Sequence, residues 1–540
     1  MNRKLTIALL LLLSLPALAT TRYVAQTAGT FSGGTACNGQ TAITPVTWNS
    51  TAESPGDVSY VCGTINVAAG ASGLTPAWSG TSASAITINF DTGAILQSHY
   101  FAGSPGSSAG GAILINGYNY ITVNGQNTGT IQNTLNGTSG QTCLGGSCTD
   151  DQPSVGVWVH NTTGVTIQNL TIQNIYMDKN GLGSGGNAFS TGDIFTDGPN
   201  ASLTISGNTL KDAHVGAWVS FDNGNTTANI FNNTIAHHGW QISAANGTSS
   251  TASATINIYG NDISNWADWN GAGSSGFHTD GIIEYTCSAF SGSACGTNAP
   301  TFNPQIYNNY FHGDLDGGTG AGTGYIYCSN NNQGSVTYAN STCTVFNNVI
   351  DMSAGGNTNG AAAIWDAGRA AQFYNNTIIG PASLSAGSSA GFVFGGNAAA
   401  TIENNIFGTL KYIYFDPGPY NATDADAVAA SNNNDWYNCL SNCVAMVTSY
   451  STLAAWHTGQ GFDSASVTGN PTLTSYVPQT GSAAIGLGAN LTSLCSGSLA
   501  ELCTDKANVA RPNSAWDSGA YQYIGATPNP PVISVFALHP

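Results

Sequence analysis

One six-residue frame, apolar–x–Gly/Asn–Asn–x–apolar, recurs through the middle of this chain. It reads Ile205-Ser206-Gly207-Asn208-Thr209-Leu210, then Ile230-Phe231-Asn232-Asn233-Thr234-Ile235, then Ile258-Tyr259-Gly260-Asn261-Asp262-Ile263. It returns at Ile306–Asn309, Val345–Asn348, Phe373–Asn376 and Ile402–Asn405, and the intervals between the second Asn residues are 25, 28, 48, 39, 28 and 29. Each copy is a strand end, a sharp bend and a new strand. Gly and Asn tolerate the left-handed backbone such a bend requires. Stacked copies would place each Asn against the next, in a hydrogen-bonded ladder.

Four of those intervals suit one turn of a solenoid, and the two longest carry insertions. Short strands at Val215–Phe221, Gly239–Ser243, Ile282–Tyr285 and Gly391–Phe394 follow the bends. About 25 residues per coil with three short strands predicts an all-β parallel β-helix. Sandwiches would show hairpin turns every 8–12 residues, a rhythm missing here.

Composition narrows the function. Of 540 residues 7% are charged, with 9 basic against 27 acidic and a net charge of −18. Nucleic-acid binding is excluded for want of Lys and Arg, and a helical bundle for want of Glu, Lys and Leu. The 41% hydrophobic content is enough for a core.

The repeat frames between about Gly110 and Tyr414, with Ser431–Tyr437 and the ending Arg511-Pro512…Asp517-Ser518-Gly519-Ala520-Tyr521, resemble the pectin-lyase-like, right-handed parallel β-helix superfamily of secreted bacterial proteins. The resemblance implies the right hand of the helix. Strand edges at the ends of a solenoid need caps. The expected organisation is a signal peptide at 1–19, an N-terminal cap and first coils at 20–108, repeats at 109–430, a C-terminal cap at 431–525 and a Pro-rich tail at 526–540. A short helix is expected at Ser451–Thr458.

Arg3-Lys4, an apolar run from Leu5 to Leu18 and Ala17-Leu18-Ala19 make a secretory signal. No later stretch could span a bilayer, so the expected product is a monomer exported to the periplasm or medium. The 12 cysteines fall as neighbours: Cys37/Cys62, Cys143/Cys148, Cys287/Cys295, Cys328/Cys343, Cys439/Cys443 and Cys495/Cys503. Export and an even count argue for disulfides, and nearest-neighbour pairing is expected.

Ionisable residues are scarce, so their clustering carries weight. Aligning three coils on Gly216, Gly239 and Gly281 stacks His214 on His237 and His238 on Asp280, with His278 nearby. Such a patch could do acid–base work or hold a divalent metal, and each member alone could simply fill a polar turn. The insertion after Asn261 adds Trp266, Asp268, Trp269, Glu284 and Tyr285. With Trp240 these aromatics could stack on sugar rings. Asp314 and Asp316 could complete an acidic set, form an Asx turn or bind Ca²⁺. His278-Thr279-Asp280-Gly281 resembles the N-T-D-G element of polygalacturonase-like hydrolases in three of four residues, which implies an acid or base role for Asp280. No adjacent Asp-Asp pair follows in the next coil, and no R-I-K element appears.

Cleavage of an extracellular polysaccharide is the expected function, hydrolysis slightly ahead of elimination. A hydrolase would pair Asp280 with Glu284, Asp268, Asp314 or Asp316, with no obligatory cofactor. A lyase would use Lys211, beside Asp212 and His214, as base, and would call on Ca²⁺. The alternative is a non-catalytic glycan-binding or adhesin rod.

Overall fold

A computed structural model describes residues 19–103, 110–135, 153–175, 191–221, 224–245, 252–267, 279–285, 301–315, 322–329, 342–353, 362–367, 370–381, 389–395, 399–416, 418 and 423–525. The chain winds as a parallel β-helix. A 13-stranded sheet holds the strands before each Asn bend, from Thr21–Val24 to Val428–Asn432, every pair parallel. This is the first wall. The strands after the bend belong to a 22-stranded sheet that forms two further walls. Its short wall runs through Asp262–Ser264, Tyr310–His312, Val349–Asp351, Thr377–Ile379 and Ile406–Gly408. Its long wall runs through Ser154–His160, Thr191–Asp197, Thr279–Tyr285, Gly322–Ser329 and Ala362–Ala367. Two strands, Thr209–Ser220 and Thr234–Ala245, cross both walls and turn the corner at Asp212 and His237, whose φ values are 65° and 61°.

The Asn ladder is present and continuous. Asn208, Asn233, Asn261, Asn309, Asn348, Asn376, Asn405 and Asn434 are buried, and each Nδ2 from Asn208 to Asn405 donates to the next Oδ1 at 3.0–3.1 Å. Asn434 ends the series on Asp463 Oδ1 at 3.0 Å. The other bend residues, Asn232, Asn308, Asn347, Asn375, Asn404 and Asn433, are left-handed as the frame requires. Inside the walls Ile, Val, Leu and Phe form one core from Val24 to Trp456.

Four disulfides follow the nearest-neighbour pattern: Cys37–Cys62, Cys328–Cys343, Cys439–Cys443 and Cys495–Cys503. Cys143, Cys148, Cys287 and Cys295 lie outside the described residues, as do 1–18 and the tail from 526. Among the described residues no helix is long and apolar enough to cross a membrane. The C-terminal helix spans Leu453–Gln460, two residues later than expected, because Thr452 supplies its N-cap to Ala455 N–H.

Beyond the last coil the chain returns along the outside of the Asn bend as a strap. Asn347 Nδ2 donates to Thr504 O, Asn375 Nδ2 to Asp517 O, Asn404 Nδ2 to Ala489 O and Asn433 Nδ2 to Leu487 O. Arg511, buried against Trp516, donates to Asn347 Oδ1, Gly519 O, Asp517 O and Gln522 Oε1. The Arg511…Asp517-Ser518-Gly519 ending therefore fastens the strap.

Candidate functional site

Strand register corrects the alignment on glycines. Ala213 pairs with His238 and Val215 with Trp240, so His214 lies opposite Gly239, and Asp280 pairs with Trp240. The Asn frame sets this register: Asn208 to Asn233 is 25 residues, and both strands run unbroken from the bend, so the same offset holds to Ser220. His214 does not stack on His237, and His238 does not stack on Asp280.

The expected patch divides between faces. His238 is fully buried and points inward, level with the core residue Ala213. Glu284 is also fully buried, in register with Ala244 and Cys328, both core residues. Both side chains face the interior of the coil, where no polymer can pass. Glu284, Cys328 and Cys343 are the one candidate metal cluster among the described residues. The sulfurs are joined to each other, and a disulfide sulfur lacks the thiolate charge a metal requires. The set does not fit an ion.

Asp280 is also without exposed surface, but it belongs to the outer face of the long wall, in register with Trp240 and Gly324. Its Oδ1 accepts from the Thr323 hydroxyl and from Gly324 N–H at 3.2 Å. Asp314 is carried to the same corner: Leu315 O accepts from Thr279 Oγ1 at 2.5 Å, and Asp314 O from Trp266 N–H at 3.2 Å. His214 lies on the outer face with its ring 5.4 Å from Trp240, and Gly239 leaves it room, since a Cβ there would be 3.2 Å from His214 Nδ1. His237 stands half-exposed at the corner, Nδ1 3.1 Å from Asp212 Oδ1, and that carboxylate raises its pKa. Lys211 precedes Asp212 there. Trp266 packs edge-on to Tyr325 within the core, at 5.1 Å, so it is not a sugar platform. Trp240 is likewise buried. Tyr285 closes its strand, and Asp268, Trp269, His278 and Asp316 lie outside the described residues.

Register also brings together residues the sequence did not mark. The outer column Leu114, Trp158, Phe195, Trp218, Ser243, Ile283, Tyr327, Trp365, Val393 and Phe415 holds six aromatics in ten rungs. Phe195 stacks on Trp218 at 5.2 Å and 18°, and Tyr327 meets Trp365 at 5.8 Å. Trp218, Tyr327, Trp365 and Phe415 are half-buried. Beside the first of these rungs Asp197 Oδ1 accepts from Trp158 Nε1 at 2.8 Å and lies 2.7 Å from His160 Nδ1. The signal for this column in the sequence is an aromatic in most long-wall strands, which lines up only once the register is known.

Inside the same wall, His238 Nε2 is 2.9 Å from Asp193 Oδ2 and Nδ1 is 2.7 Å from Gln241 Oε1, all three residues fully buried. Gln241 Nε2 donates to Ser264 O at 3.1 Å, which turns Oε1 toward the imidazole. An amide oxygen only accepts, so Nδ1 carries the hydrogen. Burial lowers His238 to about 4 and, with Asp212 adding to it, pushes Asp193 well above the carboxylate range. One proton lies between Oδ2 and Nε2 in that contact, and the pair holds it as a unit. Gly216 makes the space, since a Cβ there would be 3.2 Å from His238 Cε1.

No protein-family model matches the chain, and no curated protein does. Among solved structures it is similar to pectate lyase Pel9A, with TM-score 0.47 and 12% identity over 94% of this chain and 98% of that one. It is similar to the GH136 lacto-N-biosidase from Eubacterium ramulus, with TM-score 0.39 and 13% identity over 79% of this chain and 68% of that one. An alginate lyase from Paenibacillus sp. str. FPU-7 gives TM-score 0.32 and 14% identity over 70% of this chain and 93% of that one.

Proposed function

We propose that this protein cleaves an extracellular polysaccharide laid along the outer face of the long wall, and that it does so by hydrolysis. The aromatic column carries the reading. Rungs repeat at about 4.8 Å, so ten rungs give a track of roughly 40 Å, the reach of a polymer. Half-buried Trp218, Tyr327 and Trp365 offer flat apolar rings to the C–H faces of sugars. Asp280 stands beside the track on the coil of Ile283, and Asp314 is held at the adjoining corner. One carboxyl would protonate the leaving oxygen while the other activates water or attacks the anomeric carbon. Asp197 serves binding at the far end, because three rungs, roughly 14 Å, separate its coil from that of Asp280, beyond the spacing of a hydrolytic pair.

Elimination from a uronate needs a cation beside the substrate carboxylate. The long-wall strands from Ser154 to Ser329 carry no Lys or Arg after the corner. The corner itself supports the second reading: Lys211, Asp212 and His237 would supply a lyase base, with Ca²⁺ as the charge partner.

The test screens the mature protein against neutral and uronate polysaccharides, with and without chelator, following reducing ends and the ultraviolet absorbance of unsaturated products. Hydrolysis gives reducing ends without absorbance, lowered at least a hundredfold in Asp280→Asn and Asp314→Asn. Absorbance abolished by chelator makes the protein a lyase. Full activity in both variants removes the site from Asp280. Retention on a polysaccharide gel without turnover makes the protein a binding rod.

A further inference from the structure

A second feature lies on a different wall. The hairpin Leu473–Thr474/Val477–Pro478 stands over the outer face of the short wall and closes a cleft of about 610 Å³. That volume is within the roughly 300–1,000 Å³ of small-ligand sites. Its floor is one strand column, Ile379–Gly408–Tyr437, in which the Ile379 side chain lies across Gly408, where a Cβ would be 2.9 Å from Ile379 Cδ1. Tyr310, Tyr437 and Tyr476 supply aromatic walls, and Asn470 and Thr409 supply hydrogen-bonding groups.

Tyr476 is fixed in an unusual backbone setting. Ser475 and Tyr476 form the two-residue turn with φ of 47° and 68°, positions that favour Asn and Gly. The tyrosine is anchored there by its hydroxyl, which donates to Asp351 Oδ2 at 2.5 Å and lies 2.9 Å from Tyr310 OH. Tyr310 in turn stacks on His312 at 4.4 Å, and His312 Nε2 lies 2.7 Å from Asp262 Oδ1. Two rings are thereby locked at fixed angles.

We propose that this cleft binds a neutral sugar residue, as a glycan-holding site separate from the long wall. Locked tyrosine faces suit the C–H face of a pyranose, and Asn470 and Thr409 suit its hydroxyls. Among the described residues no Lys, Arg or His lines the cleft, and Asp351 lies directly behind Tyr476, so a uronate, sulfate or phosphate would meet repulsion with nothing to offset it. The site holds substrate or cell-wall glycan whatever chemistry the long wall performs.

Titration of the mature protein with cello-, xylo-, manno- and maltohexaose, and with galacturonate and mannuronate hexamers, by calorimetry tests this. At least one neutral hexamer should bind, and the uronates at least tenfold more weakly. In a Trp218→Ala background, in which the long-wall track is weakened, a neutral hexamer should still bind, and adding Tyr437→Ala or Asn470→Ala should each weaken that remaining binding at least tenfold. Using one aromatic and one polar truncation, each checked for an unchanged melting point, keeps misfolding apart from lost contact. Failure of every neutral hexamer to bind, equal binding of uronates, indifference to both cleft variants, or loss with Trp218→Ala alone would overturn the proposal.

Discussion

Replacing Asp193 with Asn should change how stability depends on pH, in a direction fixed by the buried pair. Asp193 ordinarily loses its proton near 3.8 and His238 near 6.5, and these values hold in the unfolded chain. In the folded chain Asp193 is raised, so its contribution is complete below pH 3.8 and is lost as pH rises. His238 is depressed to about 4, so its contribution is complete above pH 6.5 and is lost as pH falls toward 4. Between about 4 and 6.5 the two slopes cancel, because folded and unfolded pairs each hold one proton. Above 6.5 the unfolded pair holds none while the folded pair keeps its one. Stability then falls by about 1.4 kcal/mol per pH unit for as long as Asp193 stays protonated.

The amide that Asp193→Asn introduces would donate to His238 Nε2 as the acid does, yet it has no proton to lose. The variant should therefore be flat above pH 6.5 and should gain stability from pH 4 to 6.5 through His238 alone. The difference between wild type and Asp193→Asn should decline by about 1.4 kcal/mol per unit throughout. Urea denaturation at half-unit steps from about pH 5 to 8.5 measures it, and taking the difference cancels other titrating groups such as Asp435 and Asp463. A difference that stays constant above pH 6.5 would refute the retained proton. The ¹⁵N shifts of His238 should be those of a neutral ring protonated at Nδ1.

Asn309→Ala removes a side chain whose Oδ1 accepts from Asn261 N–H and Nδ2 and whose Nδ2 donates to Ile258 O and Asn348 Oδ1, all buried. Stranding those groups should cost about 3–5 kcal/mol in urea denaturation, against under about 1 kcal/mol for Asn257→Ala, which donates to Asn229 on the half-buried surface. Arg511→Met should loosen the strap, leaving Asn347 Oδ1 and the Gly519 carbonyl short of a donor, and limited proteolysis should then cut between Thr492 and Tyr523 before the coils. Gly216→Ala should cost about 1–3 kcal/mol, because the new methyl would sit 2.5 Å from Gln241 O and 3.2 Å from His238 Cε1. It should also shift the His238 ring signals, which a surface effect would leave unmoved.

The solenoid was legible because its signal is repeated and self-referential. An Asn that bonds mainly to its own copies must recur at the interval of one coil, so the interval in the sequence is already the stacking in space. The pairing of the eight cysteines among the described residues was legible for a related reason: each partner lies within one short loop or one coil. The pair Asp193 and His238 left no such mark. They are separated by 45 residues and two rungs, and they occur once. A faint trace exists in the small–large alternation Gly156, Asp193, Gly216, Gln241, Gly281 along one rung position, but reading it requires the register first.

Register was the step at which sequence reasoning about the site failed, and the cause is local. From Thr209 and Thr234 the strands carry the Asn offset unchanged around the corner, so His238 is fixed by the ladder and falls inside. One coil later the offset is 28 from Thr234 to Asp262 but 40 from Trp240 to Asp280, so 12 residues enter between the short and long walls. That insertion decides which residue takes the outward position opposite Trp240, and it brings Asp280 there. A residue that follows the repeat is committed to the repeat's packing, whereas one that follows an insertion can be placed for chemistry. By that logic the same insertion point, together with the Asp314 turn it meets, is where activity should respond to mutation, and the His238 pair is where stability should.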